Sequence, residues 1–357
     1  MAKAAGEYVT MTVGGRIFSG WKRQSIRLSL ERLAGSFEIT ASESWTEGGQ
    51  LVTSPLRSGD ACMVAVDGET VITGYMDGAE PYYSTSDAGT RVRGRDRTAD
   101  LVDCSADEQE ILGQTLARIA ADLCKPFGIP VRLVGWDGGP AFAKYAVDPG
   151  ETVSRALEDA CRQVGAMMWT DGRGTLLIGR PTGGAYAGTL KLGEHILEAS
   201  GGDDHTNRFS QYTVTAGKET DAGVWDNGGH LVEGEASDSE IHRYRPLTIS
   251  VEADVAGGPT ASERAAWEMR VRKARGLKLS IKVQGWRSPT GLIWRPGLLL
   301  DIADRRLGRS GRLMVSEVGL DKSKEGTIAQ LQLVPEGAFE PLAEGQKAEK
   351  KGSDVWS

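Results

Sequence analysis

Nothing in the 357-residue chain approaches the roughly 18 consecutive apolar residues of a membrane-crossing helix, so no direct membrane insertion is expected. The opening MAKAAGEYVT lacks the apolar stretch of a secretory signal, which points to synthesis in the cytoplasm. Cysteine is scarce. Cys62, Cys104, Cys124 and Cys161 form no CxxC pair, and reduced, buried thiols are expected in place of a zinc site or a disulfide framework. Histidine is scarcer in useful settings: of four, only His205 stands among possible ligands, Asp203 and Asp204, in a Gly-Gly-Asp-Asp stretch that reads as a hydrated turn. Positive charge is not in excess. With 42 basic against 49 acidic residues spread along the chain, the net charge of -7 excludes the footprint of tight nucleic-acid or anionic-membrane binding.

Catalytic signatures are missing as well. There is no GxSxG elbow, no HExxH, no P-loop and no strand-to-helix GxGxxG, so neither an enzyme nor a cofactor or metal site is expected. Among 49 acidic residues carboxylate pairs arise by chance, and none is flanked by aromatics in the manner of a sugar cleft.

What is abundant is glycine, at 47, against 13 prolines, a composition suited to a turn-rich β protein of two or three domains. Period-two alternation marks the strands: Ile26, Leu28 and Leu30 against Arg27, Ser29 and Glu31, then Phe37 and Ile39 against Glu38 and Thr40. Gly14-Gly15 and Asp67-Gly68 are hairpin turns. The strand Thr90–Arg95 sets Arg91, Arg93 and Arg95 on one face, where acidic or carbonyl partners are needed. The segment Leu56–Val102 is echoed at Arg295–Val334, each with a Gly-led strand, a turn, a second strand and a Gly-Thr-initiated third. Two similar β units follow, with Arg91, Arg93 and Arg95 aligned to Ile328, Gln330 and Gln332.

Between the units the period changes. Leu112, Leu116, Ile119, Ala120 and Leu123 predict an amphipathic helix stopped by Pro126, and Asp148 to Glu151 predicts the cap of a second helix through Val164. From Arg208 the strand pattern returns, with Tyr212 and Val214 alternating with Thr213 and Thr215 in a segment assigned to the first β unit, and residues 217–240 read as a long mobile linker. A third helix is capped by Thr260 and Glu263. The expected organisation is residues 1–105 with 205–245 as a first β-barrel, 106–204 as an inserted α/β domain, 246–342 as a second β-barrel, and 343–357 as a disordered tail. Trp286 and Trp294 bracket the turn Gly285–Arg295, and core or interface anchoring is expected of them.

GRDRTADLVDCSA (94–106), PGETVSRALEDACRQVG (149–165) followed by DGRGTLLIGR, and RAAWEMRVRKARGLKLSIKVQGWRSPTGLIWRPG (264–297) resemble the baseplate hub proteins of Mu-like contractile-tailed phages, the tail protein P family. More distant kin are late control protein D and the type VI secretion spike proteins. The resemblance implies a fold that is mainly β with α+β: two tail-tube-like antiparallel β-barrels plus an inserted small α/β domain. It implies a homotrimer whose six barrels form a pseudo-sixfold ring in the virion tail baseplate, with partners in the tail tube protein, the trimeric spike protein and other baseplate proteins. DNA would only pass through the lumen. Candidate interface residues are Arg91, Arg93, Arg95, Trp286, Arg287 and Trp294. The alternatives are a tail-associated cell-wall hydrolase, which would need roughly 100 further residues for a lytic module, and a sugar-binding host-recognition protein, which would rest on the tryptophans.

Overall fold

The computed structural model describes residues 7–42, 45–47, 50–52, 55–85, 88–181, 184–216, 232–251, 260–277, 279–303, 312–324, 326–335 and 338–339. The first β unit runs through β1 (Val9–Val13), β2 (Arg16–Phe18), β3 (Arg23–Ser29), β4 (Ser36–Ser42), a short hairpin of β5 (Trp45–Glu47) and β6 (Gln50–Val52), then β7 (Ala61–Val66), β8 (Glu69–Tyr83) and β9 (Ala88–Asp96). The β7–β8 turn has Asp67 at φ 49° and Gly68 at φ 84°, the doubly positive pair that a two-residue hairpin requires.

After helix α1 (Ala99–Asp103) comes the α/β insertion, with β10 (Gln109–Thr115), α2 (Leu116–Cys124), β11 (Val131–Val134), β12 (Ala141–Val147), α3 (Val153–Val164), β13 (Met167–Thr170) and β14 (Leu176–Gly179). Its helices bury Leu116, Ile119 and Leu123, and Val153, Leu157 and Val164, against Phe142, Val147, Leu176 and Ile178. Two local expectations are corrected. Leu112 lies exposed on β10, because Gln109–Thr115 pairs with β12 and the helix starts only at Leu116. The cap of α3 is Thr152, whose hydroxyl accepts from Arg155 N at 3.4 Å, while Asp148 and Glu151 close the turn before it.

The chain then adds β15 (Tyr186–Lys191), β16 (Ile196–Gly201), β17 (Gln211–Ala216), β18 (Val232–Ser237), β19 (Pro246–Val251), α4 (Ala261–Gly276), β20 (Leu279–Gln284), β21 (Leu299–Ala303), β22 (Arg312–Ser323) and β23 (Gly326–Pro335). Here pairing departs from the sequence reading. β15 and β16 lie within the stretch assigned to the insertion, yet they hydrogen-bond to β21 and β20. β17 joins neither large unit. It sits between β18 and β19 in a separate three-stranded sheet, covered by α4. β18 also shows that residues 232–237 of the expected linker are a strand; 217–231 and the expected tail fall outside the described residues. Alternation reveals that a segment is extended but not which partner it meets, and that is why these placements needed the structure.

Among the described residues, 13 strands form one curled sheet in the order β16-β20-β23-β22-β3-β4-β9-β8-β7-β1-β2, with β21 also paired to β22 and β15 paired to β21. The two β units predicted by the echo are fused side by side, joined where β22 pairs with β3. They share one apolar core: Ile26, Ile39, Ile72 and Val92 from the first, Ile281, Val318, Leu320 and Leu331 from the second. Each such side chain, fully buried, contributes about 1.5–3 kcal/mol relative to exposure.

Helix α4 begins with the expected capping box of Thr260 and Glu263. It is sandwiched, with Ala261 and Ala265 against Tyr212 and Val214, and Val271 and Ala274 against Met314, Val334 and Phe339. At the end of β9 the buried Asp96 accepts from Gly35 N (2.6 Å), Thr98 N (2.8 Å), Thr98 Oγ1 (2.5 Å) and Thr170 Oγ1 (2.9 Å). It ties the first β unit to β13 of the insertion. Burial pushes its pKa above the ordinary carboxylate value, against the pull of these hydrogen bonds.

Candidate assembly face of the sheet

The face of the curled sheet turned away from the core is polar because the strands alternate. Its residues follow one another in unbroken register: Glu198, Lys282, Gln330, Gly319, Arg27, Ser36, Arg95 and Tyr75 are successive cross-strand partners through β16, β20, β23, β22, β3, β4, β9 and β8.

The three arginines of β9 lie on this face, as their spacing required, and each meets an acid of its own chain. Arg91 reaches Glu38 at 3.5 Å and lies 5.9 Å from the ring centre of Tyr82. Arg93 pairs with Glu80 at 3.0 Å. Arg95 bridges Asp77 (2.8 Å) and Asp103 (2.6 Å), and its hydrogen bonds hold Asp103 below the usual carboxylate range.

In the second unit Lys282 pairs with Glu198 at 2.6 Å, and across the joint Arg27 grips Asp321 with two hydrogen bonds, 2.9 and 3.0 Å. Single exposed pairs of this kind are worth about 0–1 kcal/mol each. Their larger effect is to cancel charge locally, so the face presents alternating sign and no basic track. The acids Glu38, Asp77 and Glu80 were missing from the sequence reading. The signal for Glu38 was present, since it alternates with Phe37 and Ile39, but its strand could not be placed beside the arginine strand.

The tryptophans are elsewhere. Trp286 and Trp294 are 0% and 1% exposed and belong to the shared core, so neither is a surface anchor. Trp286 Nε1 donates to the carbonyls of Asp321 (3.1 Å) and Ile328 (3.2 Å), and its backbone N donates to the Glu7 carboxylate. Burial of the indoles follows from the 285–295 turn folding back under β22, where Trp294 N donates to Trp286 O at 2.9 Å. Arg287 stays half exposed and binds Asp67 at 3.2 Å, fastening this turn to the β7–β8 hairpin. The six candidates are thus divided between three arginines on one face, two core indoles and one tie between the units.

Among the described residues no group of three or more His, Cys, Asp or Glu side chains is placed to hold a metal ion. Cys62, Cys124 and Cys161 are buried as expected, and desolvation by burial pushes each thiol up to about 12. Cys104 is exposed, a correction: it caps the short helix α1, whose buried side is supplied by Ala99 and Leu101.

A duplicated β unit in one curled sheet, a charge-balanced polar face and a small α/β insertion define a structural assembly protein. The comparisons with known proteins agree. Residues 8–96 match the family described as Mu phage baseplate assembly protein GpP-like, N-terminal. Residues 98–180 match baseplate hub protein gp44-like, second domain, and 258–342 match Mu phage baseplate assembly protein GpP, fourth domain.

Baseplate hub protein gp44 of Escherichia phage Mu is 33% identical over 97% of this chain and 92% of its own. The crystal structure of the prophage MuSo2 43 kDa tail protein from Shewanella oneidensis has a TM-score of 0.80 at 33% identity, covering 93% of this chain and 99% of that one. The tail protein from Neisseria meningitidis MC58 has a TM-score of 0.79 at 27% identity, covering 94% and 98%. The chain belongs to the family of Mu-type phage baseplate hub proteins. It is a structural component of the virion tail baseplate, not an enzyme, and it assembles with other tail components.

Proposed function

We propose that the chain forms a homotrimer in which six β units make a pseudo-sixfold ring, joining the hexameric tail tube on one side to a trimeric spike on the other. The observation that carries this reading is the duplication inside one chain. A three-to-six adapter needs two similar, non-identical surfaces per subunit, and cyclic symmetry then closes the ring. One unit is built from residues 7–96, the other from 186–201 with 279–335. The equivalent positions Arg91, Arg93 and Arg95 against Ile328, Gln330 and Gln332 differ in charge, so alternate units offer neighbours different outer chemistry.

The polar face of the sheet suits the lumen. Its arginines are already matched by acids on the same chain, which leaves DNA phosphates little to gain by displacing counterions and lets genomic DNA slide. Light scattering of the purified protein at micromolar concentration tests the reading: a trimer is expected, and a monomer that persists as concentration rises would overturn it.

A further inference from the structure

The sheet β18-β17-β19 lies against one side of α4, whose other side packs on the 13-stranded sheet. Because β18 and β19 flank β17, the loop 238–245 that joins them crosses the end of the central strand, and it is fixed at both ends. Asp238 N donates to Ser210 O (3.2 Å) and Ile241 N to Asp238 O (3.1 Å), with Asp238 and Ile241 both buried. Ser210 N donates to Arg245 O and Arg245 N to Ser210 Oγ, each at 2.9 Å, while Arg245 Nη2 reaches Thr206 O at 2.8 Å.

Beneath the loop is a buried ion cluster. Arg208, 1% exposed, grips Asp238 Oδ2 through Nε (3.0 Å) and Nη2 (2.8 Å) and reaches Glu240 Oε2 at 2.6 Å; Lys273 of α4 takes the other oxygen of Glu240 at 2.5 Å. Gly276 at the end of α4 lets the arginine stem pass, since a Cβ there would lie 2.8 Å from Arg208 Cδ. A buried ion pair adds little net stability over an apolar pair of equal volume. What this one supplies is position: it holds the loop in a single conformation.

The tip so held carries His242, Arg243 and Tyr244 in succession, all exposed, Tyr244 at 82%. None of the three side chains has a hydrogen-bond or ion-pair partner among the described residues. The bases around them are engaged. Arg208 and Lys273 are matched by Asp238 and Glu240, Arg272 by Glu268 at 3.2 Å, and Arg245 by Thr206 O and the ring of Phe209, 5.2 Å from its centre. Arg243 therefore differs from the arginines of β9, each of which meets an acid of its own chain. On a loop fixed by a buried ion cluster, a free arginine beside a free tyrosine is a preorganised pair, and these two residue types are among those that most often dominate protein interfaces.

We propose that the 242–244 tip anchors the chain to a different protein of the tail, on a surface of that partner that bears carboxylates. The Arg243 guanidinium forks onto an Asp or Glu, and the Tyr244 ring covers the apolar ground beside it. Nucleic acid fits less well, because one permanent charge and a histidine neutralise too few phosphates to hold a strand. A second copy of this chain also fits less well: the acids on its sheet face, Glu38, Asp77, Glu80 and Glu198, are already matched by its own bases.

The proposal follows from a single subunit and does not depend on the ring. To test it, the full chain carries p-benzoylphenylalanine at position 242, which leaves Arg243 and Tyr244 in place, in cells that assemble whole tails. Illumination is expected to join the chain to one different tail protein, at a peptide bearing Asp or Glu. Arg243→Glu in the same chain should lower the yield of that adduct about tenfold, the effect of one charge-assisted pair, and Tyr244→Ala by a similar factor. Both side chains are exposed and unpartnered, so neither change disturbs folding. Exchanging the facing acid of the partner for arginine should restore the yield with Arg243→Glu. No adduct, an adduct only to a second copy of this chain or to DNA, or a yield that Arg243→Glu leaves unmoved would overturn the proposal. None of these outcomes bears on the trimer, which light scattering tests separately.

Discussion

Arg27 and Asp321 are 294 residues apart in sequence and form a two-pronged ion pair, Nη1 to Oδ1 at 2.9 Å and Nη2 to Oδ2 at 3.0 Å, across the strand joint that fuses the two β units. The guanidinium also lies over Gly319, whose missing side chain makes room for it. Geometry of this kind places the pair at the upper end of what exposed ion pairs contribute. Arg27→Ala should lower unfolding stability by about 1 kcal/mol, and Asp321→Ala should do the same. The double substitution should cost less than the sum, which a double-mutant cycle in urea would measure; full additivity would show that the two do not interact.

Trp286 fills the core beneath the same joint with both carbonyl contacts of its indole satisfied. Trp286→Ala should destabilise the chain by about 3–5 kcal/mol. Trp286→Phe keeps most of the volume but orphans the Asp321 and Ile328 acceptors, and an intermediate loss is expected. Thermal unfolding of the two variants gives the order, and equal loss would mean that the indole N–H contributes nothing.

Two carboxylates should drive stability in opposite directions with pH. Burial raises the pKa of Asp96 in the folded chain, so its contribution is complete below the ordinary value near 3.8 and is lost as pH rises through the raised one. Asp96→Asn should remove that slope from a plot of stability against pH. It should also cost about 1–3 kcal/mol, because an amide cannot accept from both Gly35 N and Thr98 N, on opposite oxygens. Glu240 runs the other way. Lys273 and then Arg208 hold it down to about 2, so its contribution is present above the usual 4.5 and disappears as pH falls toward 2. The stability gap between wild type and Glu240→Gln should therefore close in acid, and a gap unchanged at pH 2 would count against the cluster.

Much of this architecture was legible one strand at a time. Alternation at Ile26–Leu30, Phe37–Thr40 and Leu279–Val283 fixes which residues face the core, since successive side chains in an extended chain point to opposite sides. The Asp67-Gly68 turn and the Thr260 capping box were equally readable, because they depend on residues a few positions apart. The echo between Leu56–Val102 and Arg295–Val334 was enough to announce two β units, and three motifs in order were enough to announce the family.

What the sequence could not determine is which strand lies beside which. Cross-strand partners are set by the closure of the whole sheet, and the same alternating hexapeptide fits any edge. For that reason β16 and β17 were assigned to the wrong neighbours, the indoles at 286 and 294 were left open between core and interface, and the arginines at 91, 93 and 95 were seen without Glu38, Glu80 and Asp77. The tertiary structure alone decided that the two β units share one sheet and one core. It alone placed their joint at β22 and β3, because pairing is decided by the closure of the sheet and not by the local sequence.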